Sequence, residues 1–523
     1  MPCAWHNRLH HWRGKRSFWG SAVRAWHKVA SLLLLLSGPA EAQKAQDTLR
    51  IAWRDAIPNV DPYYNQLRTG FVLAHQAWDT LIDRDPDTLL LKPLLATSWR
   101  QVDDTTIEFE LRQGVTFHDG SPFTADDVVY TIETVLADPA VATPSNYSYL
   151  AGAEKIDTFH VRVKLKRVFP AALEYLSMTL PIWPQAYRER VGADAYARAP
   201  IGTGPYRIAK VDGLTEIDLE RNDSYFDGPK GKPAIAHVII REVADATSEV
   251  TELLAGRADW IWQFDTEQFN VIDRDANLQA IRAESMRISF LSMDSAGRTG
   301  AGNPLTSVKV RQAIAHAIDR TTIARQLVQG GARVLNAACY PTQFGCEQGA
   351  ATKYGYDPAQ ARQLLAEAGY PDGFETELVS DILPQYLDAI RKDLGAVGII
   401  ARVTPLQVGA ATRRVLDGQA PLYAGSWGSY SINDVSAILP VFFGGGGNDT
   451  IRDPELTRLV EQGGATTDPN ERRQAYSAAL RRISEQMYWL PLSTYVTTYA
   501  FSRQLAFKPY QDEVPRFYLA SWR

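Results

Sequence analysis

Residues 95–134 hold three patterns in direct succession and constrain the fold more than any other stretch of the chain. Thr106–Leu111 (TIEFEL) alternates polar and apolar side chains, which is typical of a half-buried strand. A turn containing two glycines follows. Thr124 then stands as the N-cap of a helix whose first turn carries two aspartates, where negative charge suits the helix dipole. A strand, a turn and a capped helix indicate an α/β domain and no particular chemistry.

The length and composition of the chain indicate a soluble protein of several domains. At 523 residues it is too long for one hydrophobic core, which favours two or three domains. Its hydrophobic share of 45% and charged share of 22% are ordinary for a globular protein.

The first 42 residues differ from the rest. Six basic residues precede an apolar run at 29–36 (VASLLLLL), and the A-x-A sequence at 40–42 follows. This order predicts a secretory signal peptide that is cleaved after Ala42. A membrane anchor is the alternative, but an apolar run of this length spans only about 12 Å of a hydrocarbon layer of roughly 30 Å.

Export changes both the charge and the expected state of the cysteines. Removing the leader, with its six basic residues and one acid, takes the formal charge from −5 to −10, which argues against a nucleic-acid partner. Beyond the leader only Cys339 and Cys346 remain, at the two ends of the turn-rich loop CYPTQFGC. An oxidising destination then favours a disulfide between them, with two free thiols as the alternative.

The sequence lacks the motifs that most catalytic and cofactor sites need. It contains no G-x-S-x-G, H-E-x-x-H, C-x-x-C or phosphate-binding loop, and the five histidines beyond the leader are scattered singly. The segment at 199–208 (APIGTGPYRI) is not a dinucleotide fingerprint, because Arg207 stands where the third glycine would be. We therefore predict no catalytic residues, no metal and no cofactor.

Aromatic residues are the positive signal. The chain has 13 Trp, 23 Tyr and 18 Phe, and several lie beside glycine and small polar residues in predicted loops, as in SWGSY at 426–430. Aromatic walls with a few polar groups suit a ligand cavity, although ordinary core packing explains any one of these residues equally. Trp427 is the aromatic residue that we single out.

The sequence around the opening motif resembles the signature of a known family. LATSW at 95–99 and EFELRQGVTFHDGSPFTADDVVYTIE at 108–133 are similar to the signature of the bacterial extracellular solute-binding proteins of family 5, which serve peptide and nickel importers of the ATP-binding-cassette type. Further similar strings are VDP at 60–62, the APIGTGPYRI segment, LLAGRADW at 253–260 and VRQAIAHAIDR at 310–320.

The resemblance implies an α/β fold of the two-lobed, type II periplasmic-binding-protein kind, with an extra subdomain inserted in the N-terminal lobe. Residues 1–42 would be the signal peptide. Lobe I would comprise residues 43–80, 200–287 and 492–523, with residues 81–199 as its inserted subdomain, and lobe II residues 288–491. Such a protein works in the periplasm as a monomer, closes on a peptide or other small molecule, and passes it to an ABC permease with its ATPase subunits.

The resemblance also implies site residues, and here the chain departs from the family. In peptide-binding members an Asp three residues after the lobe-two Trp pairs with the peptide ammonium, but Tyr430 stands there, preceded by Ser429. Either Asp434 substitutes for that Asp, or the ligand is not an ordinary free-amino peptide. By the same resemblance Tyr147 and Phe290 face the ligand. Nickel is disfavoured because no histidine follows His316. An opine, a sugar conjugate, a metal chelate, or a secreted hydrolase on this scaffold remain alternatives.

Overall fold

The structure is a computed structural model that describes residues 47–65, 67–213, 215–243, 245–382 and 384–523. The predicted signal peptide and its cleavage site lie outside these residues. Among the helices of the described residues, none is long and apolar enough to cross a membrane.

Strands and helices alternate along most of the chain. In chain order the strands are β1 Thr48–Trp53, β2 Ile82–Arg84, β3 Leu91–Pro93, β4 Ala96–Asp103, β5 Thr106–Leu111, β6 Leu150–Asp157, β7 His160–Leu165, β8 Tyr206–Asp212, β9 Glu216–Arg221, β10 His237–Glu242, β11 Trp260–Trp262, β12 Leu278–Met293, β13 Phe374–Ser380, β14 Ile399–Pro405, β15 Leu422–Trp427, β16 Trp489–Ser502, β17 Leu505–Ala506 and β18 Ser521–Trp522. The α-helices of four residues or more are α1 Arg68–Ala77, α2 Ala125–Ala137, α3 Ala172–Thr179, α4 Gln185–Val191, α5 Ala193–Tyr196, α6 Ala246–Leu254, α7 Thr266–Ile272, α8 Val308–Ala317, α9 Pro358–Glu367, α10 Pro384–Gly395, α11 Val408–Leu416, α12 Leu439–Phe443, α13 Pro454–Gly464 and α14 Pro469–Glu485.

Ten strands of the described residues form one sheet, in the order β14-β13-β15-β12-β16-β11-β1-β10-β9-β8. The long antiparallel pair β12 and β16 runs through its centre and joins a first sheet half, β1 with β8–β11, to a second sheet half, β13–β15. Strands β13 and β14 pair in parallel. The C-terminal strand β16 lies beside β11.

Strands from both sheet halves end near the middle of β12. At the end of β11, which runs parallel to β1, Trp262 lies opposite Tyr499, and Tyr499 pairs with Ile281 of β12. At the end of β15, Trp427 lies opposite Ile288 of β12. The loops that follow β1 and β15 therefore meet over the middle of β12, where the ladder with β16 shifts register. Loops at the carboxyl ends of strands are the usual place for ligands in α/β sheets.

The opening motif forms the predicted elements. Strand β5 has the predicted bounds and belongs to a four-stranded antiparallel sheet, β4-β5-β7-β6, whose buried face packs on α2. Thr124 caps α2 as predicted: its hydroxyl accepts a hydrogen bond from the Asp126 amide, and Asp127 accepts one from the Thr124 amide.

The histidine of the same motif ties this sheet to the 199–208 segment. The Gly202 amide donates to Nδ1 of His118 at 3.1 Å, so Nε2 carries the proton and donates to the Gly204 carbonyl at 3.0 Å. Burial lowers the pKa of His118 to about 4, which keeps the ring neutral and this tautomer in place. The histidine thus holds the two segments together.

Cys339 and Cys346 are joined by a disulfide. Both are buried in a hydrophobic cluster that includes Trp489 and Tyr476, which we call the second hydrophobic region. Within the described residues no group of three or more His, Cys, Asp or Glu side chains is arranged to hold a metal ion.

The glycines of the 199–208 segment allow close contact with the end of α1, which predicts a stability effect. A Cβ at Gly204 would overlap the backbone of Ala77 and Trp78. We expect Gly204→Ala to lower the free energy of unfolding by about 1–3 kcal/mol, the usual cost of overpacking. Urea unfolding measures this. Gly395→Ala is the control, because nothing lies within 4 Å of its Cβ position, and an equal loss in both variants would contradict the packing argument.

Candidate functional site

A cavity of about 230 Å³ lies where the loops after β1 and β15 meet. One wall comes from residues 62–74, 143–147 and 178–181, and the other from Arg287 and residues 427–430. Residues far apart in sequence therefore face one another across a space of small-molecule size. Of the six predicted ligand-facing residues, the structure brings four to this cavity: Tyr147, Trp427, Ser429 and Tyr430.

The aromatic side chains form the apolar part of the walls. Trp427 and Tyr430 meet edge to face with ring centroids 5.1 Å apart. The Trp427 indole donates to the Ala437 carbonyl at 3.3 Å, and the Tyr147 hydroxyl donates to the Thr179 carbonyl at 2.9 Å. Because backbone carbonyls already accept these protons, the rings present their carbon surface rather than their polar atoms to a ligand.

Phe290 and Asp434 are not among the residues that line the cavity. The Phe290 ring stacks on Trp489 with a centroid distance of 3.6 Å, inside the second hydrophobic region. The Asp434 carboxylate is buried and accepts hydrogen bonds at 3.0 and 2.9 Å from Arg472. A carboxylate already paired in this way is not available to a ligand ammonium. Spacing along the chain could not reveal either partner.

The turn after Trp427 has an unusual backbone. Ser429, Tyr430 and Ser431 all have positive φ, at 49°, 50° and 62°. Each L-residue in this left-handed region costs about 1–2 kcal/mol. The Ser431 hydroxyl offsets part of that cost, because it donates to the Asp512 carbonyl at 2.6 Å and accepts from Nη1 of Arg68 at 2.7 Å. The strained turn is therefore held by contacts with the opposite wall.

A carboxylate between two arginines lies behind the cavity. Oε2 of Glu513 is 3.2 Å from Nη2 of Arg287 and 3.6 Å from Nη2 of Arg68, and Oε1 accepts a hydrogen bond from Thr497 at 2.8 Å. Burial raises the pKa of the Glu513 carboxyl, but the two guanidinium groups outweigh that effect and hold the pKa at about 2. Glu513 is therefore ionised at any physiological pH.

The neighbouring Asp512 repeats this arrangement with two other arginines. Its carboxylate pairs with Arg84 at 3.0 Å and with Arg516 at 2.7 Å. Arg84 also donates to the Ser431 carbonyl and pairs with Glu174 at 3.1 Å. Glu174 in turn accepts from the Asn433 amide at 3.2 Å. This network fixes the left-handed turn against the first wall.

Sequence reasoning missed the two arginines that line the cavity, Arg68 and Arg287. Arg68 is the first residue of α1, where a positive charge opposes the helix dipole. That placement is a sequence signal, since a basic residue at such a position needs an anionic partner elsewhere. Arg287 lies in the register shift of β12, next to Met286, whose amide bonds the Gln511 carbonyl. No local pattern marks it.

The Glu513 arrangement predicts a pH dependence. The pKa of Glu513 is about 2 in the folded protein against an ordinary value of 4.5, so its ionised form contributes stability above pH 4.5 that is lost as the pH falls toward 2. We expect Glu513→Gln to lower the free energy of unfolding by about 3 kcal/mol at pH 7, and the difference from wild type to shrink as the pH approaches 2. Urea unfolding at pH 7, 5 and 3 measures both.

Asp388→Asn serves as the control, because this carboxylate is 70% exposed on α10. We expect a small difference from wild type at all three pH values. A Glu513→Gln deficit that stays constant between pH 7 and 3 would show that the pairing with the arginines is not its source.

Comparison with known proteins agrees with this architecture. The profile of the family described as "Bacterial extracellular solute-binding proteins, family 5 Middle" matches residues 91–449, more than half of the chain. The glutathione-binding protein GsiB of Salmonella paratyphi A is 28% identical over 501 residues, covering 92% of this chain and 95% of that protein. GsiB of Escherichia coli K12 is 26% identical over 509 residues, covering 92% and 96%.

A solved structure has the same fold. The ABC transporter substrate-binding protein CtaP of Listeria monocytogenes superposes with a TM-score of 0.80 at 21% sequence identity, covering 91% of this chain and 99% of that one. The fold is thus the two-lobed, type II periplasmic-binding-protein fold expected from the sequence. With the profile match across the signature region, the chain belongs to the bacterial extracellular solute-binding proteins of family 5.

Proposed function

We propose that this protein captures a small polar organic solute, peptide-like or of another class, between its two lobes and delivers it to an ABC permease. The observation that carries the proposal is the composition of the cavity walls. Residues 62–74 on one side and residues 427–430 on the other both line it, so a ligand in the cavity contacts both lobes at once. A ligand that binds both walls favours the closed form by its differential contacts.

The lobe boundaries proposed from the sequence are compatible with this action. Lobe I is residues 43–80, 200–287 and 492–523, with residues 81–199 as its inserted subdomain, and lobe II is residues 288–491. The boundary at 287 coincides with the register shift between Ser285 and Ile288 of β12. An interrupted ladder is a natural place for two lobes to rotate relative to one another.

The wall chemistry favours binding over catalysis. Of the described residues that line the cavity, none is His, Cys, Asp, Glu or Lys, so Ser429 has no general base beside it there. We propose that the solute leaves unaltered and that the protein acts as a monomer with the permease and ATPase as its partners. Glutathione, the ligand in the names of the GsiB relatives, is one candidate solute, and an opine, a sugar conjugate or a metal chelate are others.

Ligand-dependent stabilisation without turnover tests the function. Purified protein is screened by thermal unfolding against dipeptides, glutathione, opines and sugar acids, and each mixture is then analysed by mass spectrometry. A true ligand at about 100 times its Kd should stabilise the protein by about 2.7 kcal/mol and remain intact. Trp427→Ala should remove the stabilisation, whereas Gly395→Ala should not. A new product formed from the ligand would favour the hydrolase alternative instead.

Export makes a second prediction. Protein isolated from the periplasm of cells that express the full chain should begin at Gln43 and show no free thiols under denaturing conditions, because Cys3 is removed with the leader and Cys339 is bonded to Cys346. The same protein after reduction should show two. N-terminal sequencing and thiol titration measure both. A cytoplasmic protein with an intact leader would contradict the export proposal.

A further inference from the structure

The charges that line the cavity are of one sign. Arg68 and Arg287 line it, and none of the described lining residues is Asp or Glu. The single carboxylate of Glu513 contacts both arginines from behind the cavity wall. Asp512 also acts on Arg68 and Asp381 on Arg287, but these carboxylates too are outside the cavity lining, so the charge turned toward a ligand is the positive charge of the two guanidinium groups. An anionic ligand group would compensate that charge, whereas an ammonium would be repelled.

The two guanidinium groups converge on one point. A Cβ at position 428 would lie 3.3 Å from Nη2 of Arg68 and 3.3 Å from Nη2 of Arg287. Gly428 has φ −104°, an ordinary value for any residue, so its backbone does not require glycine, and a methyl group added there would press only on the ends of these two side chains. Two planar donor groups that meet over a bare Cα beside Trp427 have the arrangement that binds a carboxylate through several charge-assisted hydrogen bonds.

The arginines keep donors for such a group. A guanidinium has five N–H donors. Within the described part of the chain, Nη1 of Arg68 donates to Ser431, and Nη2 of Arg68 and Nη2 of Arg287 lie 3.6 and 3.2 Å from the Glu513 carboxylate, which accounts for only some of the donors of each group. The Glu513 and Ser431 contacts therefore orient the two side chains without saturating them.

A neighbouring cleft of about 610 Å³ carries charges of both signs. It shares Arg287 with the cavity, and its other charged lining residues are Arg54, Asp55, Asp265, Arg282, Asp381 and Glu513. The carboxylates thus lie in this cleft, where arginines accompany them, whereas arginines are the charged residues among the described lining of the cavity beside Trp427.

We propose that the cavity beside Trp427 recognises an anionic group, a carboxylate. It does not recognise a free ammonium, the group that pairs with an Asp at the position of Tyr430 in the peptide-binding pattern. The inference rests on the proposed function, because it names the chemical class of the solute. Tyr430 and the Arg472-paired Asp434 leave the position without a free carboxylate, and the two arginines supply the opposite charge.

Charge-matched probes test this class. Dipeptides, opines and sugar acids that stabilise the protein are compared with their carboxamides and, where an amine is present, with their N-acetyl derivatives, by isothermal titration. Phosphonate and sulfonate analogues distinguish a carboxylate site from a general anion site. We expect amidation to weaken binding at least tenfold and more than N-acetylation does. Arg68→Gln and Arg287→Gln should each lower the affinity for the acid at least tenfold, so that the acid and its amide bind with similar affinities.

Two further variants separate recognition from folding. Gly428→Ala keeps both arginines and adds a methyl group where they converge. It should lower the affinity for the acid several-fold and leave the melting temperature unchanged. Tyr430→Asp should lower the affinity for the acid and raise the affinity for the amide that keeps its ammonium. Arg391→Gln, on the exposed surface of α10, is the control and should change neither affinity.

The outcomes distinguish this inference from the function on which it rests. If the bound probes are neutral or cationic, or if acids bind Arg68→Gln and Arg287→Gln as well as wild type, the anionic site is wrong and the binding function stands. If no probe of any class binds and no small molecule co-purifies with the protein, the binding function itself is wrong, and the inference falls with it.

Discussion

Two adjacent buried carboxylates near the end of the chain hold distant parts of the structure together. Asp512 pairs with Arg84 and Arg516, and Glu513 lies between Arg68 and Arg287. The four arginines come from distant parts of the sequence. A buried charge left without its partner costs several kcal/mol, so each arginine must be placed where the C-terminal segment can reach it. The position of the C-terminal segment is thereby an electrostatic requirement as well as a topological one.

The same segment supports the most strained part of the cavity. The positive φ values of Ser429, Tyr430 and Ser431 are unfavourable in isolation, and the hydrogen bonds of Ser431 to Arg68 and to the Asp512 carbonyl offset them only when the two walls are in contact. The geometry beside Trp427 therefore depends on contact between the two walls. That contact brings together the aromatic surface, the bare Cα of Gly428 and the two guanidinium groups.

Much of the fold was predictable from local patterns. The alternation in Thr106–Leu111, the cap at Thr124 and the strand–helix–strand unit at 374–405 each depend on neighbours in sequence, and the structure contains them with matching bounds or pairing. The predicted site residues were placed correctly only in part. Tyr147, Trp427 and Tyr430 lie at the cavity, while Phe290 stacks on Trp489 and Asp434 binds Arg472, partners more than 35 positions away in the chain. Arg287 had no local signal, because its role is set by a register shift between strands that are distant in sequence.

The central strand pair has a genetic consequence. The first residues of β12 and the last residues of β16 belong to the first sheet half, whereas the last residues of β12 and the first residues of β16 belong to the second. Cutting the coding sequence at either crossing would leave both fragments without a complete inner strand. Neither sheet half is therefore encoded by one contiguous piece of the gene.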